Sequence, residues 1–94
     1  MLVMVEMTVR IPQSLDPEVA DAIKAKEKAY SQQLQRDGKW RHLWRVAGLY
    51  ANVSIFDVKD ADELHTLLTG LPLYPYMEMK VTALAQHGSA IAQN

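Results

Sequence analysis

Apolar and polar residues alternate from the start of the chain. Val3, Val5, Met7, Val9 and Ile11 recur at every second position, with Glu6, Thr8 and Arg10 on the opposite side, the pattern of a half-buried strand. Pro12 ends the run because it has no N–H to give a ladder. From Pro17 to about Arg36 the period becomes helical, and at ~100° per residue Val19, Ala20, Ile23, Tyr30 and Leu34 fall on one side. Asp16 stands as the N-cap before an N1 proline, and Asp37 with Gly38 stops the helix. Alternation returns over Trp40 to Val46, predicting one face of Trp40, His42, Trp44 and Val46 and another of Arg41, Leu43 and Arg45. Gly48 connects this to a third strand, Tyr50 to Asp57, with Ala51, Val53 and Ile55 opposite Tyr50, Asn52, Ser54 and Phe56. Ala61, Leu64, Leu68 and Leu71 mark a short second helix ended by Gly70 and Pro72. Pro72 and Pro75 predict an extended loop over Leu73 to Tyr76, after which Met77 to Leu84 alternates through Met79, Val81 and Ala83.

The predicted order is β-α-β-β-α-β. For a chain of 94 residues this favours one domain over 1–94 with an α+β, ferredoxin-like arrangement: a four-stranded antiparallel sheet carrying two helices on one face. The core spans 1–85. The tail, 86–94, is small and polar apart from Ile91, and is either mobile or ordered on a neighbouring subunit. The other sheet face lacks a cover, so sheet-on-sheet pairing in a dimer is expected, with Trp40, Trp44 and Phe56 as candidate contacts.

One residue breaks the helical pattern. Glu27 falls among the apolar positions, flanked by Ile23 and Tyr30. A carboxylate there reaches a partner, points into a cleft, or carries a desolvation cost that raises its pKa, which makes it a candidate proton-transfer base. Composition narrows the chemistry further. The absence of cysteine removes thiolate metal sites and thiol nucleophiles, and His42, His65 and His87 are too widely spaced to suggest a metal set. Ten basic against eleven acidic residues, without a basic cluster, offer no nucleic-acid footprint. Met1 to Met7 is too short for a signal peptide or a membrane span, so a soluble cytoplasmic protein is the expectation.

The segments Lys39-Trp40-Arg41-His42-Leu43-Trp44-Arg45-Val46-Ala47-Gly48, Tyr50-Ala51-Asn52, Phe56-Asp57-Val58 and Leu71-Pro72-Leu73-Tyr74-Pro75-Tyr76-Met77 resemble the muconolactone delta-isomerase family. The similarity extends from Met1 to about Ser89. It implies a ferredoxin-like subunit, paired as a dimeric α+β barrel and assembled into a ring-like homo-oligomer, commonly a decamer. The implied reaction is a cofactor-free step of the β-ketoadipate branch of catechol degradation, converting (+)-muconolactone to 3-oxoadipate enol-lactone by moving one proton along an allylic system.

Such a reaction needs a basic carboxylate, donors for a lactone oxyanion and a cation for the substrate carboxylate. Glu27 suits the base. Arg41 is the choice for the carboxylate because a guanidinium grips it bidentately, with Arg45 as competitor on the same predicted face. Tyr50 and Asn52 project together and can donate to the lactone, or form a sheet-face pair at an interface. His65, at the edge of the Leu64/Leu68 face, is a pocket donor or a structural residue. His42 reads as packing or interface, Lys24, Lys26 and Lys28 as a solvated face able to add positive potential, and Tyr74, Tyr76 and Met77 as a pocket entrance or a hydrophobic lid between subunits. Two alternatives stay open: a chloromuconolactone dehalogenase of the same family, and a non-catalytic barrel that binds a small acid or serves assembly.

Overall fold

The opening alternation becomes strand β1 (Leu2–Val9), and Val3, Val5, Met7 and Val9 are its buried residues. The structure, a computed structural model, describes residues 1–92. After β1 come helix α1 (Pro17–Arg36), strands β2 (Trp40–Arg45) and β3 (Ala51–Asp57), helix α2 (Ala61–Thr69), a 3-10 turn (Tyr74–Tyr76) and strand β4 (Met77–Leu84). The strands make one antiparallel sheet in the order β2-β3-β1-β4. This is the ferredoxin-like α+β fold that the periodicity predicted.

Register decides which side chains meet. Val3 lies opposite Phe56, Val5 opposite Ser54 and Met7 opposite Asn52, so β1 and β3 present these residues to the helices. Leu34 of α1 and Leu64 and Leu68 of α2 close over them. Val5 and Phe56 are 0% exposed, and side chains of this size contribute roughly 1.5–3 kcal/mol each on full burial. The helix ends follow their caps. The Asp16 carboxylate accepts the Glu18 N–H at 2.8 Å, and that of Asp60 accepts the Glu63 N–H at 2.9 Å. Gly38, at φ 78°, supplies the left-handed turn after α1.

Four expectations change. The strict alternation predicted for β2 fails at a β-bulge: Trp40 pairs with Phe56 but His42 with Ile55, leaving Arg41 as the extra residue. Trp40 therefore turns into the core beside Phe56, 2% exposed with ring centroids 4.7 Å apart, and neither aromatic reaches the open sheet face. Trp44 does, at 67% exposed. Beyond the bulge, Leu43 and Arg45 share the helix-side face with Ser54 and Asn52. The Leu73–Tyr76 stretch is a tight turn rather than an extended loop. Val19, counted on the buried side of α1, is exposed at the helix start. The tail extends past the described residues at its last two positions. Among the described residues no helix is long and apolar enough to cross a membrane.

Candidate active site

Glu27 faces inward from the middle of α1, and its carboxylate is held by the backbone. The Leu73 N–H donates to Glu27 Oε1 at 2.9 Å. Leu73 is free to do so because the turns around it use other groups: Leu71 N–H goes to the Leu68 carbonyl, Tyr74 N–H to that of Leu71, and Tyr76 N–H to that of Leu73. None of the salt bridges among the described residues includes Glu27. Burial raises its pKa above the ordinary carboxylate value, and the Leu73 hydrogen bond opposes that rise without cancelling it.

Glu27 opens onto a cavity of about 430 Å³ between α1 and the end of the sheet. Its apolar wall comes from Val9, Trp40, Leu43, Leu73 and Met77, and its uncharged polar groups are Ser31, Tyr50 and Asn52 beside the Glu27 carboxylate. Lys24, Lys28 and Arg45 add three cations around one carboxylate, a field that attracts small anions. The Arg45 guanidinium lies 5.4 Å from the Tyr50 ring centroid, over its face. Asn52 is oriented from below. The hydroxyl of Ser54, 0% exposed, donates to Asn52 Oδ1 at 2.7 Å, so Asn52 offers its Nδ2 hydrogens as donors.

Glu27, Tyr50 and Asn52 thus line one cavity. Arg41 and His65 do not join them. The bulge carries Arg41 to the open sheet face, where Nη1 lies 3.5 Å from Asp57 Oδ2. His65 is exposed on α2, away from the cavity. No group of three potential metal ligands occurs among the described residues.

The muconolactone delta-isomerase family model matches residues 1–90. The muconolactone delta-isomerases of Cupriavidus pinatubonensis and Acinetobacter baylyi are 60% and 57% identical over 91 residues, covering 97% of this chain and 99% and 95% of theirs. The chain belongs to the muconolactone delta-isomerase family. The crystal structure of a muconolactone isomerase superposes with a TM-score of 0.94 at 51% identity, covering 100% of this chain and 98% of that one.

Within this family fold, the cavity uses groups that periodicity could not single out. Arg45 enters through a bulge, and the Leu73 N–H is a backbone atom with no side-chain signature. The Leu-Pro-Leu-x-Pro-Tyr-Met segment was the available sign of the second, since proline and turn residues fix a backbone path. Lys24 and Lys28 border the cavity, while Lys26 does not.

Proposed function

We propose that the chain is a cytoplasmic, cofactor-independent muconolactone delta-isomerase, converting (+)-muconolactone to 3-oxoadipate enol-lactone in catechol degradation. The observation that carries this reading is a half-buried carboxylate of raised basicity in an apolar cavity ringed by cations. Family membership supplies the substrate. The ring carbon bearing the carboxymethyl arm holds a hydrogen made acidic by conjugation with the lactone carbonyl. Glu27 removes it, the electron pair moves through the ring to the carbonyl oxygen, and the resulting dienolate is furan-like. The Glu27 carboxylic acid then returns the proton to the ring carbon next to the carbonyl, two carbons further along. Charge and atoms balance with one base.

Asn52 Nδ2 and the Tyr50 hydroxyl are the donors for the developing oxyanion. Of the three cations that a single subunit places around the cavity, Arg45 is the guanidinium able to grip the substrate carboxylate bidentately, and Arg41 reaches a substrate only if a neighbouring subunit brings it. Assembly enters here. We read the open sheet face, with Met4, Val53, Ile55 and the exposed Trp44, as the face of a dimer within a larger ring, a decamer by family expectation. Sedimentation that finds a monomer at micromolar concentration refutes it.

The deciding experiment incubates purified protein with muconolactone, and separately with 5-chloromuconolactone, following product identity and chloride. Enol-lactone formation without added metal supports the isomerase. Efficient chloride release with little isomerisation identifies a dehalogenase, and turnover of neither substrate leaves a binding or assembly role.

A further inference from the structure

Tyr30 lies one turn beyond Glu27 on α1 and is absent from the chemistry above, yet its hydroxyl is committed. It donates to the Leu67 carbonyl in the last turn of α2 at 2.9 Å, across 37 residues of sequence. The site opposite that hydroxyl is Gly70. Gly70 has φ −79°, which any residue adopts, so glycine is needed there for space. A Cβ at Gly70 would stand 2.8 Å from the Tyr30 hydroxyl and 3.2 Å from the Thr66 carbonyl.

Leu73 follows within three residues. The Gly70 N–H bonds the Thr66 carbonyl, and Leu71 and Tyr74 continue the chain of turns, so the position of the Leu73 N–H is set by where α2 ends. We propose that Tyr30, with Gly70 as its steric complement, is a positioning residue: it bolts the end of α2 to α1 and so keeps the Leu73 N–H on the Glu27 carboxylate. The inference rests on Glu27 being the base.

A bond to the charged form holds a carboxylate's pKa down. Loosening the bolt therefore raises the pKa of Glu27 further. The other groups facing Glu27 are Lys24, Lys28 and Tyr30 itself on α1, Arg45 on β2 and Tyr50 before β3. The Leu73 segment brings only its N–H. Tyr30 is neutral at working pH, its phenol raised by burial and then by the Glu27 charge, so Tyr30→Phe removes a hydrogen bond and no charge.

The test is a double-mutant cycle of Tyr30→Phe and Gly70→Ala with two readouts. One is the Glu27 carboxyl titration followed by ¹³C NMR without substrate, and the other is kcat/KM for muconolactone against pH. Each single variant should move the titration and the acid limb to higher pH. On that limb kcat/KM should fall about fivefold, the worth of roughly one hydrogen bond, with the alkaline plateau held. The double variant should go little further than either single one, since the methyl group added by Gly70→Ala then meets no hydroxyl. A Tyr30→Phe protein that melts earlier but titrates as the parent does overturns the inference, and so does strict additivity. Should Tyr30→Phe not fold, the Gly70→Ala titration decides alone. A parent that never turns over muconolactone while the titration moves refutes the isomerase reading and leaves the positioning role standing.

Discussion

Glu27→Gln should make the protein both inactive and more stable near neutrality. Gln keeps the shape and still accepts the Leu73 N–H, but it cannot take a proton. General-base catalysis contributes about 10²–10⁴-fold, so kcat should fall by that factor, roughly 3–5.5 kcal/mol of barrier. The stability change has a different origin. Burial raises the folded-state pKa of Glu27, the largest influence upon it, so the native state binds more protons than the unfolded chain between the two pKa values. Stability then decreases as pH rises through that window, and the full penalty is present above it. An ion taken wholly out of water costs several kcal/mol. Glu27 is only partly withdrawn, and the Leu73 bond returns ~1.5–3 kcal/mol, leaving about 1 kcal/mol. For a domain of this size that corresponds to a Tm gain of ~4–8 °C. Scanning calorimetry at fixed protein concentration, from acid pH to pH 8, should show the gain shrinking toward zero where Glu27 is protonated in both states. A variant that is less stable at pH 8, or whose offset ignores pH, refutes the claim that burial dominates at Glu27.

Two further substitutions probe the binding groups. Arg45→Gln should raise KM for muconolactone by at least about tenfold with a smaller change in kcat, because it removes a charged contact made in ground and transition states alike. Arg41→Gln should leave steady-state kinetics nearly unchanged unless a neighbouring subunit delivers it. Ser54→Ala frees the Asn52 carboxamide to turn; kcat should drop about tenfold, part of the ~10²–10³ that a lost oxyanion donor costs. Thermal melting should show a loss of about 1 kcal/mol for the missing hydrogen bond.

Glu27 was legible because a helix has a fixed period, and a carboxylate between Ile23 and Tyr30 stands out against it. Asn52 needed more, since its direction depends on register, but β3 pairs with β1 without a shift; Tyr50 stands just before β3, where its carbonyl accepts the Val9 N–H at 3.0 Å. Strand β2 defeated the same logic. A single extra residue at Arg41 reverses every later side chain relative to Trp40, and no pattern of apolar residues in Trp40 to Arg45 announces it. That one residue parts Arg41 from Arg45, which strict alternation would put on one face. His65 differs for another reason: it stands next to Leu64 on α2, but its side chain is exposed and takes no part in lining the cavity.

The basicity of Glu27 is a balance between two parts of the chain that are far apart in sequence. The helix withdraws the carboxylate from water and raises its proton affinity. The Leu73 N–H, 46 residues away, holds the charged form and limits the rise. Without that bond the carboxyl would stay protonated over more of the working range and could not accept a proton. Without burial it would be too weak a base for a carbon acid. A base must therefore be buried far enough to be strong and bonded enough to be ionised, and helix α1 meets the first condition locally. The second depends on tertiary structure, on the turn after α2 arriving within hydrogen-bonding distance, and this explains why a glycine with an ordinary φ sits opposite a tyrosine hydroxyl.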